Sequence, residues 1–254
     1  MTKNFAHRGF SGLYPENTML AFRKAIEAGC DGIELDVQMS RDGHLVVIHD
    51  ESVDRTCGGS GFVGELKLSE LRKFDASGSF PGQFGINRIP TLREYFDLIR
   101  CKNILTNIEL KNTFYSYPGM EEKVIETVRE YRMTSRVLFS SFNHCSMMKC
   151  KQLAPEIKVA FLVSLPLADP GRYTANHKGN FLNTHYSFLT DDVIRDLRCH
   201  GVDAQAWTVN DESEMLRLAK AGIYAVITNF PDRMKNVLDV IKTDGCRLHK
   251  RYSI

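Results

Sequence analysis

Eight short apolar segments, most of them followed by a segment with helical periodicity, restrict the fold of this 254-residue chain more than any other feature. The first predicted strand ends at His7, and the others lie at residues 33–39, 104–110, 137–140, 159–163, 181–183, 204–209 and 225–228. Helices are predicted from a cap at residues 16–18 to Gly29 and at residues 119–131, 143–153, 190–200, 211–221 and 232–241. Eight such units predict the α/β class and a closed (β/α)8 TIM barrel. The length and the 43% hydrophobic content fit a single domain over residues 1–254.

Residues 51–90 interrupt this rhythm. The segment contains glycine-rich stretches at residues 57–61 and 78–85 and one short helical run at residues 68–73. We interpret it as a small loop-rich insertion after the second strand and its hairpin. Because the loops that follow barrel strands carry the chemistry, we expect the insertion to cover the site and to help select substrates.

A β-hairpin is predicted around the Asp-Gly turn at residues 41–43, which separates two apolar runs. Counting outward from this turn places His49 beside Glu34 and Asp36. The next residue, Asp50, either orients the imidazole of His49 or begins the following loop.

Charged side chains share one face of two otherwise apolar strands. Glu34 and Asp36 are two residues apart in the second strand, and Glu109 and Lys111 are two apart at the end of another. Since successive side chains alternate between the faces of a strand, each pair points the same way. A buried carboxylate is costly unless a cation or a donor compensates it, so the pattern predicts a metal site.

These pairs also have simpler explanations. Glu34 and Asp36 fit a solvated edge strand or an ion pair with a basic residue. Glu109 and Lys111 fit an internal salt bridge in a polar layer of the barrel.

His7 and Arg8 come directly after the first apolar run. In a parallel barrel the carboxyl ends of all strands open at the same mouth. We therefore expect both residues to converge there with His49 and with the charged pairs of the other strands. Taken alone, His7 and Arg8 are also explained as a satisfied core or capping pair.

Composition and charge exclude several functional classes. The 33 basic and 31 acidic residues give a net charge of +2 without a basic stripe, which argues against a nucleic-acid partner. Seven scattered cysteines without Cys-x-x-Cys spacing indicate reduced thiols. The chain begins without an apolar leader and contains no run near the about 20 apolar residues of a membrane span. We expect a cytoplasmic protein without stable membrane insertion.

A set of short motifs occurs in order from residue 6 to residue 232. They are Ala6-His7-Arg8-Gly9, Pro15-Glu16-Asn17-Thr18, Glu34-Leu35-Asp36-Val37, His49-Asp50, Asp54-Arg55-Thr56, Ile89-Pro90-Thr91-Leu92, Glu109-Leu110-Lys111, Ser140-Ser141-Phe142 and Trp207-Thr208-Val209-Asn210. At these residues the chain resembles the glycerophosphodiester phosphodiesterase family. The resemblance implies a metal-dependent hydrolase that splits small-molecule glycerophosphodiesters into glycerol 3-phosphate and an alcohol.

The same resemblance assigns the charged residues. Glu34, Asp36 and Glu109 would bind one divalent cation, and their all-carboxylate character suits Mg²⁺ or Ca²⁺ rather than zinc. Arg8 would hold the phosphate with its planar fork, and Lys111 would hold it as a point charge.

His7 and His49 would form the general acid/base pair, in either order, because imidazole titrates near neutral pH. Phe142 and Trp207, at two further strand ends, either pack against the carbon chain of glycerol or belong to the core. The nucleophile is either water or a neighbouring glycerol hydroxyl.

Two alternative functions remain open on the sequence. The first is a lysophospholipase D or phospholipase C-like activity on lipid phosphodiesters through the same residues. The second is a non-catalytic barrel that binds phosphodiesters, against which the presence of both histidines argues.

Overall fold

Eight parallel strands close into a barrel. One further strand, the third along the chain, pairs with a barrel strand in the antiparallel sense. The structure is a computed structural model that describes residues 1–251, with side chains through residue 243. The strands are β1 (Lys3–His7), β2 (Gly32–Met39), β3 (Leu45–Val47), β4 (Leu105–Leu110), β5 (Val137–Ser141), β6 (Lys158–Val163), β7 (Phe181–His185), β8 (Asp203–Trp207) and β9 (Ala225–Thr228). Their order is β1-β9-β8-β7-β6-β5-β4-β2, and β1 closes the barrel against β2. The predicted (β/α)8 barrel is confirmed.

Helices connect successive barrel strands. They are α1 (Met19–Glu27), α2 (Asp54–Cys57), α3 (Leu68–Leu71), α4 (Leu92–Ile99), α5 (Met120–Glu130), α6 (His144–Leu153), α7 (Pro170–Asn176), α8 (Asp191–Cys199), α9 (Glu212–Ala221) and α10 (Pro231–Arg251). The sequence analysis did not identify α2, α4 or α7. It also ended β7 two residues early and extended β8 two residues too far, because its apolar run continues to Val209. Among the described helices, none has both the length and the apolar character that crossing a membrane requires.

Two layers of side chains fill the barrel interior, and they differ in polarity. Phe5, Leu138 and Phe181 are buried apolar residues in the interior clusters. The residues two positions later on the same strands point the same way but lie nearer the carboxyl ends. At those positions Ser140 and Asn183 are buried and polar. One end of the barrel is therefore closed by an apolar plug, while the carboxyl end is polar.

The predicted hairpin is confirmed by the pairing of β2 with β3. Val37 lies opposite Val47, and Met39 lies opposite Leu45. Continued by two residues, this register brings His49 to the level of Leu35. The carboxyl end of the hairpin thus delivers a histidine to the barrel mouth.

The predicted insertion contains α2, α3 and a short 3-10 turn at Val63–Glu65. Its apolar residues join Val46 and Ile48 of the hairpin in a separate small cluster, whose other members are Val53, Cys57, Val63, Leu71, Ala76 and Ile89. The single-domain assignment with an insertion at about 51–90 stays a prediction, and residues 252–254 of that assignment lie outside the described part of the chain.

Closure of the barrel depends on a close contact at Gly32. This residue pairs with Phe5 across the β1–β2 seam, and a Cβ atom at Gly32 would lie 2.7 Å from the Phe5 ring. We expect Gly32→Ala to lower the free energy of unfolding by about 1–3 kcal/mol through overpacking. Adding Phe5→Leu should restore part of the loss. Thermal or urea unfolding measures both effects. A Gly32→Ala variant as stable as the wild type would contradict the close contact.

Candidate active site

A cavity opens at the carboxyl end of the barrel. One wall of this cavity is charged and the other is apolar. Residues from the predicted site line it: His7, Arg8, Glu34, His49, Glu109, Phe142 and Trp207. The two remaining predicted residues, Asp36 and Lys111, contact members of this lining. The structure therefore brings all the predicted site residues together at one mouth.

The centre of the charged wall is a triad of carboxylates. Glu34 and Asp36 share one face of β2, and the parallel register places Asp36 beside Glu109 of β4. One oxygen atom from each of the three carboxylates lies within 4.8 Å of the other two. Since β2 runs between β1 and β4, the alternative of a solvated edge strand is wrong, and Glu34 and Asp36 are only 4% and 1% exposed.

Burial and neighbouring charges shift the pKa values of the three carboxylates in different directions. Burial, together with Asp36 and Glu109, raises the pKa of Glu34 well above its usual value. Burial and Asp36 likewise raise the pKa of Glu109. Burial also opposes ionisation of Asp36, but Arg8 and the other nearby cationic groups outweigh it and hold its pKa below the usual range.

The triad fits a hard metal ion. Its donors are all carboxylate oxygens, the set that Mg²⁺ and Ca²⁺ prefer. Asp36 Oδ1 is buried and has no hydrogen-bond partner among the described side chains and backbone, which leaves a lone pair available for a cation. A buried acidic triad that suits a divalent cation is therefore present.

Arg8 connects the triad to the first loop. Its positive φ of 55° follows the end of β1, and its backbone N–H donates to Glu34 Oε2 at 3.1 Å. The guanidinium donates from Nη1 to Glu16 at 2.8 Å, and its Nε lies 3.2 Å from Asp36 Oδ2. Asn17 donates to the same Asp36 oxygen at 2.8 Å. Asp36 is thus held by two groups that come from one loop.

Lys111 forms the internal ion pair that the sequence left as an alternative. Its Nζ lies 2.8 Å from Glu109 Oε1 and 3.2 Å from His49 Nε2. Burial opposes the charge, but Glu109 and Asp36 outweigh it and raise the pKa of Lys111. The lysine is therefore charged, and it touches both the triad and an imidazole.

Hydrogen bonding fixes the tautomer of His49. An ammonium group only donates, so Nε2 of His49 must accept from Lys111. The ring proton then lies on Nδ1, which donates to Asp50 Oδ1 at 2.6 Å. Of the two roles open to Asp50 on the sequence, the structure supports orientation of the imidazole.

His7 faces the triad from the opposite side. Its Nδ1 lies 2.7 Å from Asn229 Oδ1, and its Nε2 lies 3.9 Å from Glu34 Oε2. Burial, reinforced by Arg8, lowers the pKa of His7 to about 4. The sequence analysis did not identify Asn229, although its position directly after the last predicted strand was a signal.

The second wall of the cavity is apolar. Phe142 and Trp207 meet edge to face, with ring centroids 5.9 Å apart, and Leu162 and Ile227 extend this wall. Both aromatic rings are partly exposed rather than buried in the core.

Polar side chains form the floor between the two walls. Asn107, Ser140 and Asn183 line the cavity, and each is at least 99% buried with a polar atom that has no partner in the described part of the chain. The sequence analysis gave these residues no role, although Ser140 lies within a matched motif.

The sequence predicts that residues 51–90 cover the cavity, but the structure does not place them in its lining. None of these residues, all of which are described, is among those that line it. They pack on their own apolar cluster instead. Arg55 of α2 nevertheless reaches the site residues Asp50 and Glu16.

Comparisons with known proteins show the family of this chain. The chain matches the glycerophosphoryl diester phosphodiesterase family over residues 7–233. A glycerophosphodiester phosphodiesterase of Caldanaerobacter subterraneus subsp. tengcongensis is 44% identical over 233 residues, which cover 92% of this chain and 96% of the relative. Another, of Bacillus altitudinis, is 41% identical and covers 95% of this chain and 100% of the relative.

Solved structures give the same result. A phosphodiesterase of Oleispira antarctica, in complex with the product sn-glycerol-3-phosphate, is 33% identical and has a TM-score of 0.82, with 92% of this chain and 96% of that chain covered. From the family match, the identities and the shared barrel together, the chain belongs to the glycerophosphoryl diester phosphodiesterase family.

Proposed function

We propose that this chain hydrolyses glycerophosphodiesters to glycerol 3-phosphate and an alcohol. The observation that carries the proposal is the convergence of three carboxylates, two cationic side chains and two imidazoles on one cavity. Phosphodiester cleavage needs charge neutralisation, a proton acceptor and a proton donor, and these groups supply each function. The product complex of the Oleispira antarctica relative adds support.

Glu34, Asp36 and Glu109 would hold one divalent cation, Mg²⁺ or Ca²⁺. Such an ion, when bound, neutralises charge on the non-bridging oxygens of the phosphate. Binding also requires the three carboxylates to be ionised.

Arg8 and Lys111 are the groups that bind and orient the phosphate in this proposal. Arg8 is buried against Asp36 and Glu16, so its guanidinium is fixed before substrate arrives. Lys111 has a flexible stem and a point charge. If the Lys111 ammonium donated to a phosphate oxygen instead of to His49 Nε2, that nitrogen would be free to bind a proton.

His7 is the proton acceptor in this proposal. Its lowered pKa keeps the ring neutral at physiological pH, and the bond from Nδ1 to Asn229 leaves the Nε2 lone pair facing the triad. This lone pair can take a proton from an attacking hydroxyl, either of water or of the glycerol itself.

His49 is the proton donor. The Asp50 carboxylate at Nδ1 holds the ring in place and stabilises the imidazolium that forms when Nε2 is protonated. Once Nε2 has taken up a proton from solvent, the ring can give it to the oxygen of the departing alcohol as the P–O bond breaks.

The glycerol unit would lie between the polar floor and the apolar wall. Ser140 and Asn183 offer hydrogen-bonding atoms to the hydroxyl groups, while Phe142 and Trp207 contact the carbon chain. Such a division suits a small polyol, which is polar at its oxygens and apolar along its C–H edges.

A second candidate activity is hydrolysis of lipid phosphodiesters, as by a lysophospholipase D. Large apolar side chains are exposed on loops that follow the barrel strands, where an acyl chain would approach the mouth. They include Leu13, Phe62, Phe84, Phe114 and Leu165. Parallel assays with glycerophosphocholine and lysophosphatidylcholine separate the two activities.

The role of His49 is tested by His49→Ala. We expect kcat for glycerophosphocholine to fall about 10²- to 10⁴-fold, because the general acid is lost. His44→Ala, on the same hairpin but exposed, is the matched control and should retain wild-type turnover. Release of glycerol 3-phosphate is measured, and undiminished release by His49→Ala would remove this residue from the mechanism.

Metal binding is tested by Glu34→Gln. Calorimetric titration with Mg²⁺ and with Ca²⁺ should show binding to the wild type and at least about 10-fold weaker binding to the variant, since one anionic ligand is lost. Glu121→Gln removes a buried carboxylate on α5, away from the triad, and should bind the ions as the wild type does. Turnover that survives an excess of chelator would contradict metal dependence.

The pH dependence of stability tests the state of His7. Its pKa is about 4 in the folded chain against 6.5 for the free side chain, so between these values only the unfolded chain binds the proton. His7 therefore lowers stability as the pH falls from 6.5 toward 4 and has no such effect above 6.5. From pH 7 to pH 5, the unfolding free energy of His7→Gln should improve relative to wild type by up to about 2 kcal/mol. A difference that is constant with pH, measured by denaturation, would argue against a neutral buried His7.

A further inference from the structure

A continuous path of ionic and hydrogen-bonded contacts runs from one member of the acidic triad to another around the outside of the site. Its successive members are Asp36, Arg8, Glu16, Arg55, Asp50, His49, Lys111 and Glu109. Seven of these residues follow or lie on the barrel strands and their first loops. Arg55 alone comes from the helices of the insertion.

Arg55 bridges two carboxylates that serve different sides of the site. Its Nη1 and Nη2 donate to Glu16 at 3.0 and 2.8 Å. Its Nε and Nη2 donate to Asp50 at 2.6 and 3.0 Å. The other bond of Glu16 goes to Arg8, and the other bond of Asp50 goes to His49. The Arg55 guanidinium is thus linked to Arg8 through Glu16 and to His49 through Asp50.

We infer that Arg55 is a positioning residue, which holds the phosphate-binding Arg8 and the acid/base His49 in register with one another. This inference rests on the proposed function, because it assigns Arg55 a role in the same reaction. Arg55 does not line the cavity and reaches the reacting atoms through Glu16 and Asp50.

The geometry of the guanidinium suits this role. Its planar fork carries five donors, and four of its bonds are used on two carboxylates at once. A lysine ammonium is a point charge and cannot match both carboxylates with the same geometry. Without Arg55, Glu16 and Asp50 would repel each other and could rotate away from Arg8 and His49.

Stability alone gives a weak reason for this bridge. The Arg55 side chain is 49% exposed, and ion pairs at such positions contribute little to folding. The two carboxylates that Arg55 binds nevertheless contact Arg8 and His49 directly. The effect of Arg55 should therefore appear in kinetics more than in stability.

The test compares Arg55→Ala with the loss of each carboxylate. Asp50→Asn should mainly lower kcat, because it releases His49, and Glu16→Gln should mainly raise KM, because it releases Arg8. We expect Arg55→Ala to do both, with kcat/KM for glycerophosphocholine lowered about 10- to 100-fold, as when an outer-shell partner is lost. Arg55→Lys should recover only part of the loss.

Non-additivity provides a second readout. If Arg55 acts through the two carboxylates, Arg55→Ala should have little further effect in the Asp50→Asn, Glu16→Gln background. Proton NMR of the free protein provides a third, which does not depend on turnover. The His49 Nδ1 proton in the bond to Asp50, assigned with His49→Ala, should shift or broaden in Arg55→Ala.

Arg72→Ala is the matched control. Arg72 is also an insertion arginine that binds a carboxylate through two nitrogens, with Glu94 at 2.6 and 2.8 Å, but it contacts no site residue. It should change unfolding only, and leave kcat and KM as in the wild type.

Three results would each overturn the inference. The first is an Arg55→Ala variant that matches Arg72→Ala in kcat and KM. The second is full additivity with the two carboxylate variants. The third is an unchanged His49 resonance in Arg55→Ala, which can be measured whether or not the protein turns over. Absence of glycerophosphodiester hydrolysis in the wild type would instead overturn the proposed function.

Discussion

The balance of charge in a buried space at the barrel mouth is the constraint on which the rest of the site depends. Three carboxylates meet there, and Arg8 and Lys111 are the cationic side chains in contact with them. Counted as fully ionised, the group has one negative charge in excess. Burial raises the pKa of Glu34, and the neighbouring carboxylates Asp36 and Glu109 raise it further. A divalent cation would reverse the sign and leave one positive charge, which a phosphodiester monoanion then neutralises. The triad and the two cations are therefore complementary to a metal ion and a phosphodiester together, rather than to either alone.

The period-two alternation of the strands explains how one barrel supports both a stable core and a polar site. Phe5 and His7 point into the same barrel from one strand, as do Leu138 and Ser140 from another. The first member of each pair closes the amino end with apolar contacts, and the second faces the mouth. The unpaired polar atoms of the floor reduce stability, because buried polar groups without partners are costly. Packing below and outside them offsets that cost. The polar residues are thus confined to the end of the barrel where a ligand can satisfy them.

Sequence patterns predicted the barrel and most of the candidate site because both depend on local spacing. The Asp-Gly turn fixed the register of the hairpin, and with it the place of His49. The missed helix α4 did have local signals, a Thr91–Glu94 capping box and buried residues at helical spacing, but they were not recognised beside the irregular insertion. Helix α7 has only seven residues and begins at a proline, so its pattern was too short to read. The contacts of Arg55 and Asn229 could not be predicted in this way. Arg55 contacts Glu16, 39 positions away in the chain, and Asn229 contacts His7, 222 positions away, so this geometry exists only once the barrel has closed.

The two histidines differ in the partner that holds Nδ1. His7 is buried and lies beside Arg8, which together favour its neutral form, and its Nδ1 donates to the amide oxygen of Asn229. His49 Nδ1 instead donates to the carboxylate of Asp50, which orients the ring. Two identical side chains on opposite sides of one triad are thereby made unequal before substrate binds. In the proposed reaction, one of these unequal groups takes a proton and the other, once it has been protonated, gives one. Arg55 belongs to this asymmetry, since the carboxylate of Asp50 is oriented toward His49 by the same guanidinium that fixes Glu16 against Arg8.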